Sequence, residues 1–263
     1  MVAMVTTGVV FRPQSPPEHL RAVVEAVDAS SVEELWLWED CFLEGGLTTA
    51  AMALAWSTRV RVGIGLLPVP LRNPALAAME VATLARTFPG RCVAATGHGV
   101  LDWMEQVGAR ADSPMTLLRE HTEALRRLLA GETVDVEGDY VRLDRVALDW
   151  PPPTPPLLLV GARGPRTLRL AGEVADGVLL DQVTDPETVS RARALAQEGR
   201  EASGRDGLVH VTAYSEIGAA DVSVASVADR VAVLAEAGAD VVVLQSDAGS
   251  PDPRPLAEAL AGA

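Results

Sequence analysis

Short runs of valine, leucine and isoleucine alternate with stretches rich in alanine, leucine, arginine and glutamate, and the alternation repeats eight times along the chain. That rhythm constrains the fold more than any other feature. Parallel strands need a crossover between them, usually a helix, and a sheet built that way is buried on both faces. Strands are expected at residues 4–11, 34–39, 60–67, 91–95, 157–160, 177–180, 209–214 and 240–244. Helices are expected at 16–29, 48–57, 74–87, 115–130, 166–173, 186–203 and 224–237, with a short closing helix within 251–263. Eight such units predict one (β/α)8 TIM barrel over residues 1–263, and a length of 263 suits that fold. The rival is a doubly wound open sheet. The strong run at 240–244 favours the barrel, because laying it beside the first strand closes the ring.

One excursion breaks the rhythm. Residues 131–148 carry short alternating segments around Gly138-Asp139, a hairpin signal, just before Pro151-Pro152-Pro153. A small antiparallel hairpin at about 131–150 is expected to lie against the barrel, with no linker that would make it a second domain.

Charge and composition exclude several function classes. The formal net charge is −14, with no basic stripe to neutralise phosphates, so nucleic acid is not an expected partner. Anionic membrane surfaces are equally unsuited. The two cysteines, Cys41 and Cys92, form neither a disulfide framework nor a zinc motif. With no signal sequence and no run of 18 apolar residues, a cytoplasmic location is expected.

A barrel of this kind carries its working groups at the C-terminal ends of its strands. Those ends supply Glu39-Asp40-Cys41, Gly65-Leu66, Gly97-His98-Gly99, Gly161-Ala162-Arg163-Gly164, Asp181-Gln182, Ser215-Glu216 and Gln245-Ser246-Asp247. The set contains no GxSxG elbow, no Walker lysine and no HExxH, and no local ligand spacing for a metal. Its sharpest member is the loop Gly161-Ala162-Arg163-Gly164-Pro165, lying between a strand and a helix. Glycines let backbone N–H groups approach an anion, and the helix that follows turns its positive end to the same place. A phosphate grip, small residues that admit a flat ring, and one histidine fit a large redox cofactor better than a nucleophile triad.

Four segments carry a family resemblance: 59–74 (RVRVGIGLLPVPLRNP), 82–99 (ATLARTFPGRCVAATGHG), 115–143 and 157–180. Their order and spacing resemble the luciferase-like monooxygenase family of flavin and deazaflavin oxidoreductases. The run from Gly97 through Trp103 and Met104 to Gln106 is similar to members that use coenzyme F-420, among them methylenetetrahydromethanopterin reductase. The resemblance implies a ring lying in the barrel mouth, a non-proline cis peptide near Gly65-Leu66 supporting its back face, and hydride transfer to or from an organic small molecule. It implies coenzyme F-420 as cofactor, with FMN as the alternative, and it allows a homodimer. Cofactor contacts are assigned to Gly65, Leu66, Gly97, Gly161, Ala162, Arg163, Gly164 and Asp40. His98, Asp40 and Glu39 are the catalytic candidates.

Each assignment has a plainer alternative. His98 could be a loop residue with one main-chain bond, Asp40 a helix cap, and the glycines simple turns. Glu39 would be costly facing inward unless paired. Where several deazaflavin enzymes carry an Asp-His pair, this chain has Asp40-Cys41, which puts a sugar-phosphate dehydrogenase activity in doubt. A cofactor-binding relative with little turnover, and a phosphate-binding barrel isomerase, remain the other readings.

Overall fold

The computed structural model describes residues 5–263. Eight parallel strands close into a barrel: β1 (Thr6–Phe11), β2 (Glu34–Leu37), β3 (Arg61–Pro68), β4 (Cys92–Gly97), β7 (Leu157–Gly161), β8 (Gly177–Leu180), β9 (His210–Glu216) and β10 (Val241–Gln245). Closure comes where expected, with Thr6 of β1 opposite Val241 of β10. The open sheet is therefore set aside. The expected start of the first strand at Met4 lies outside the described residues.

The helices are α1 (Leu20–Ala29), α2 (Gly46–Trp56), α3 (Pro74–Thr87), α4 (Leu101–Gln106), α5 (Pro114–Leu129), α6 (Pro165–Val174), α7 (Pro186–Ala202), α8 (Val224–Glu236) and α9 (Arg254–Ala261). Several starts are set by proline or by a capping side chain. Asn73 accepts from the Ala75 N–H at 2.9 Å, and Asp185 from the Thr188 N–H at 2.8 Å. The first helix, expected from residue 16, begins instead as a 3-10 turn at Pro17–His19. Between β4 and α5 the short α4 was not expected.

The hairpin is present as β5 (Val134–Glu137) and β6 (Arg142–Val146). Glu120 on α5 docks it, accepting from the N–H groups of Asp139, Tyr140 and Val141 at 2.9–3.0 Å. A single carboxylate so satisfies three turn donors that would otherwise lack partners.

Two apolar cores result. The larger lies between the strands and the helix shell. The smaller fills the barrel itself with Val10, Trp36, Val93, Leu159, Leu179, Tyr214 and Val243. Trp36 takes so much of that space that a Cβ on Gly63 would sit 2.3 Å from its ring. Its indole N–H donates to Glu34 at 2.7 Å, and Glu34 is paired with Arg61. Glu34 is 2 % exposed. An ion pair and a tryptophan thus plug the N-terminal half of the barrel and leave the C-terminal half for a site.

Candidate active site

The C-terminal mouth holds a cleft of about 690 Å3, inside the range of small-molecule sites. One wall comes from β3, β4 and β7. There the Gly65–Leu66 peptide is cis, as the family resemblance implies, and the pairing of β3 with β4 shifts register between Ile64 and Leu67. The Leu66 side chain lies across the ends of the two neighbouring strands. A Cβ on Gly97 would come 2.5 Å from Leu66 Cδ2, and one on Gly161 would come within 2.3 Å. These two glycines therefore make the seat for Leu66, and the result is a smooth apolar wall. Gly65 is held to glycine in the same way, by the Tyr214 hydroxyl 2.3 Å from where its Cβ would be.

The opposite wall comes from β1, β2, β9 and β10. Arg12 lies over the Trp38 ring at 5.0 Å, and Trp38 stacks on Tyr214 with centroids 6.2 Å apart. Arg12 donates to the Ser246 carbonyl at 2.6 Å, to Glu216 at 3.0 Å and to Gln14 at 3.1 Å. Burial, with the Glu34 charge, pushes the Tyr214 hydroxyl well above its ordinary range, so it stays protonated. Several buried polar atoms of cleft-lining residues have no partner among the described residues: Trp38 Nε1, Tyr214 Oη, Gln245 Oε1 and His98 Nδ1.

The residues singled out from sequence converge here. Glu39, Asp40, Gly65, Leu66, His98, Gly161, Ala162, Arg163 and Gly164 all line the cleft; Gly97 stands behind Leu66. Their surroundings differ. Among the described residues, Asp40 has no side-chain hydrogen-bond or ion-pair partner; burial raises its pKa and the Arg12 charge opposes the rise. Burial lowers the pKa of His98, against the pull of the Pro114 carbonyl, so the imidazole is neutral near pH 7. Glu39 is engaged instead: it is bound by Arg72 and accepts the Gly46 N–H at the start of α2 at 2.8 Å. Arg163 is held by Asp181, its Nε donating to both carboxylate oxygens at 2.8 and 3.0 Å, and its side chain is 73 % exposed. Gly164 is the N-cap of α6 and opens onto free space. In the run after β4 that carries the family resemblance, Trp103 lines the cleft and Met104 is buried in the interior.

Gln245 is among the strand ends that the sequence supplies, whereas Arg12, Trp38 and Tyr214 are cleft residues that it does not mark. The signal was present in part: in β9, residues 212, 214 and 216 alternate onto one face, and Tyr214 sits one residue before the Ser215-Glu216 end that was considered.

The profile of the luciferase-like monooxygenase family matches residues 2–259. The chain belongs to that family. Among its relatives, a 5,10-methylenetetrahydromethanopterin reductase of Methanolobus tindarius is 28% identical over 249 residues, covering 94% of this chain and 73% of the relative. An F-420-dependent glucose-6-phosphate dehydrogenase of Nakamurella multipartita is 32% identical over 161 residues, 57% of this chain and 46% of its own. Among solved structures, the F-420-dependent tetrahydromethanopterin reductase of Methanopyrus kandleri superposes with a TM-score of 0.82 at 19% identity, over 98% of both chains. An F-420-dependent secondary alcohol dehydrogenase gives a TM-score of 0.85 at 17% identity, over 97% of this chain and 98% of that one. At those identities the likeness shows the barrel fold alone. The expected family and barrel are met, and the oxidoreductase class is met at the level of the family. Among the described residues, no helix is long and apolar enough to cross a membrane.

Proposed function

We propose that this chain is an oxidoreductase moving a hydride between coenzyme F-420 and a small organic molecule, with the cofactor ring against Leu66 and its anionic tail at the glycine loop. One observation carries the reading. The flat Leu66 wall, the open Gly164 start of α6 and the unpaired Asp40 carboxyl share a single cleft. The residues fit such a group: partnerless polar atoms belong to residues around the cleft, and the N-terminus of α6 favours an anion beside it. When bound, the deazaflavin supplies a carbon that accepts or donates hydride.

The chain's own residues then have distinct tasks. Leu66 supports the ring, with Gly65, Gly97 and Gly161 giving it room. Ala162, Arg163 and Gly164 receive the tail. Asp40 and His98 hold or move the proton that accompanies hydride transfer: burial raises the Asp40 pKa toward the neutral range, and it lowers that of His98, leaving a neutral imidazole that can accept a proton. Glu39 fixes the start of α2 and the Arg72 loop rather than meeting substrate. In this reading the chain works as one barrel unit in the cytoplasm, on a small molecule, with neither nucleic acid nor membrane as partner. The relatives named for F-420 support this cofactor over FMN, which an FMN-bound monooxygenase of the same fold keeps as the alternative.

Titration of the purified protein with F-420 and with FMN, followed by fluorescence, tests the reading. Binding of F-420 at about micromolar or tighter, with FMN at least tenfold weaker, is the expected result. Preference for FMN would redirect the chemistry toward oxygen. Binding of neither would sink the proposal.

A further inference from the structure

The charges around the cleft are matched almost one for one. Arg12 faces Glu216 in an ion pair and feels Asp40; Arg163 is bound by Asp181; Arg72 is bound by Glu39. Each of the three guanidiniums is engaged by at least one carboxylate, and Arg72 by Glu80 as well. Away from the start of α6, a carboxylate or phosphate on a substrate would have to displace one of these partners, and taking the partner from a buried guanidinium leaves a charge uncompensated. The Arg12 side chain is 10 % exposed and its partner Glu216 is 47 % exposed, so Arg12 is a buried cation held by an accessible carboxylate. The rest of the opposite wall offers neutral groups: the Trp38 indole, the Tyr214 hydroxyl and the Gln245 amide. The chain segments leading from the mouth carry exposed apolar side chains, Phe42, Leu43 and Val100, and the chain as a whole carries a charge of −14 that repels anions from a distance.

We propose that the half of the cleft facing Leu66 takes an uncharged organic molecule and rejects carboxylates and phosphates, and that Glu216, by occupying Arg12, sets this specificity. The inference rests on the proposed function in one respect, that the cofactor occupies the Leu66 half. The specificity is a difference in affinity that comes partly from an occupied cation, not only from favourable contacts.

A matched pair of probes tests it: cyclohexanone and cyclohexanecarboxylate, one ring without and with a charge. Their affinities are read by ligand-observed NMR on the protein alone and with saturating F-420. The wild type is expected to bind the ketone at least tenfold more tightly than the carboxylate. Glu216→Gln is expected to raise carboxylate affinity about tenfold and leave the ketone within about twofold, and adding Arg12→Gln is expected to abolish that gain. Thermal melts accompany each variant. Preference for the carboxylate in the wild type, no gain in Glu216→Gln, or binding of neither probe would each overturn the proposal. If F-420 fails to bind while the probe pattern holds, the cofactor assignment fails and the substrate inference stands.

Discussion

Under the proposed reading, Asp181 and Gly161 are the residues through which the cleft's fit to a cofactor can be tested. Asp181 neutralises Arg163 with both carboxylate oxygens. The expectation that Arg163 grips the tail therefore has a corollary: Asp181→Asn frees the guanidinium, and F-420 affinity is expected to rise about threefold to tenfold, less so at high salt, in a fluorescence titration. An unchanged affinity would mean that the tail passes elsewhere. Gly161 tests the wall. A methyl group there meets only the end of the Leu66 side chain, which is flexible. Gly161→Ala is expected to push Leu66 into the cleft and weaken F-420 binding at least tenfold, while the melting temperature moves by about 2 °C or less. A large loss of stability with unchanged binding would contradict that account.

At the scale of elements, what was legible depended on local punctuation. The helix at Pro74–Thr87 and the strand at Gly177–Leu180 were read to the residue because Asn73-Pro74 caps the one and Asp176-Gly177 turns into the other. The six residues of α4 carry no comparable start signal, and they went unread. The candidate site was half legible for a related reason. Strand ends and glycines are local marks, so Asp40, His98 and the loop at 161–164 stood out. Arg12 gains its role only from Glu216 and Ser246, more than 200 residues away. No pattern within a window could show that, nor that Asp181 would claim Arg163. Helix packing gives a test at this scale. A Cβ on Gly172 of α6 would lie 1.8 Å from the Ala196 carbonyl oxygen of α7, and one on Gly199 would lie 2.0 Å from the Arg169 carbonyl oxygen. Backbone cannot retreat as a side chain can. Gly172→Ala is expected to cost about 1–3 kcal/mol or more in denaturant unfolding; a neutral result would show that the two helices can separate freely.

For the whole molecule, pH stability should carry the mark of His121. This α5 residue is buried, and its Nε2 pairs with the Arg72 carbonyl at 3.1 Å, tying the helix to the loop that holds Glu39. Burial, against that bond and helped by the Arg72 charge, lowers its pKa from 6.5 to about 4. The unfolded chain therefore binds the proton first. Stability is full above pH 6.5 and declines as the pH falls from there to about 4, by roughly 3 kcal/mol for a shift of this size. Chemical unfolding across that window should show the slope, and His121→Gln should flatten it. A wild-type profile already flat there would rule out a buried neutral imidazole. The plug of Glu34, Trp36 and Arg61 bears on traffic as well as on packing. With the barrel stopped at one end, the cleft is a cul-de-sac, and every guest enters and leaves by the same door.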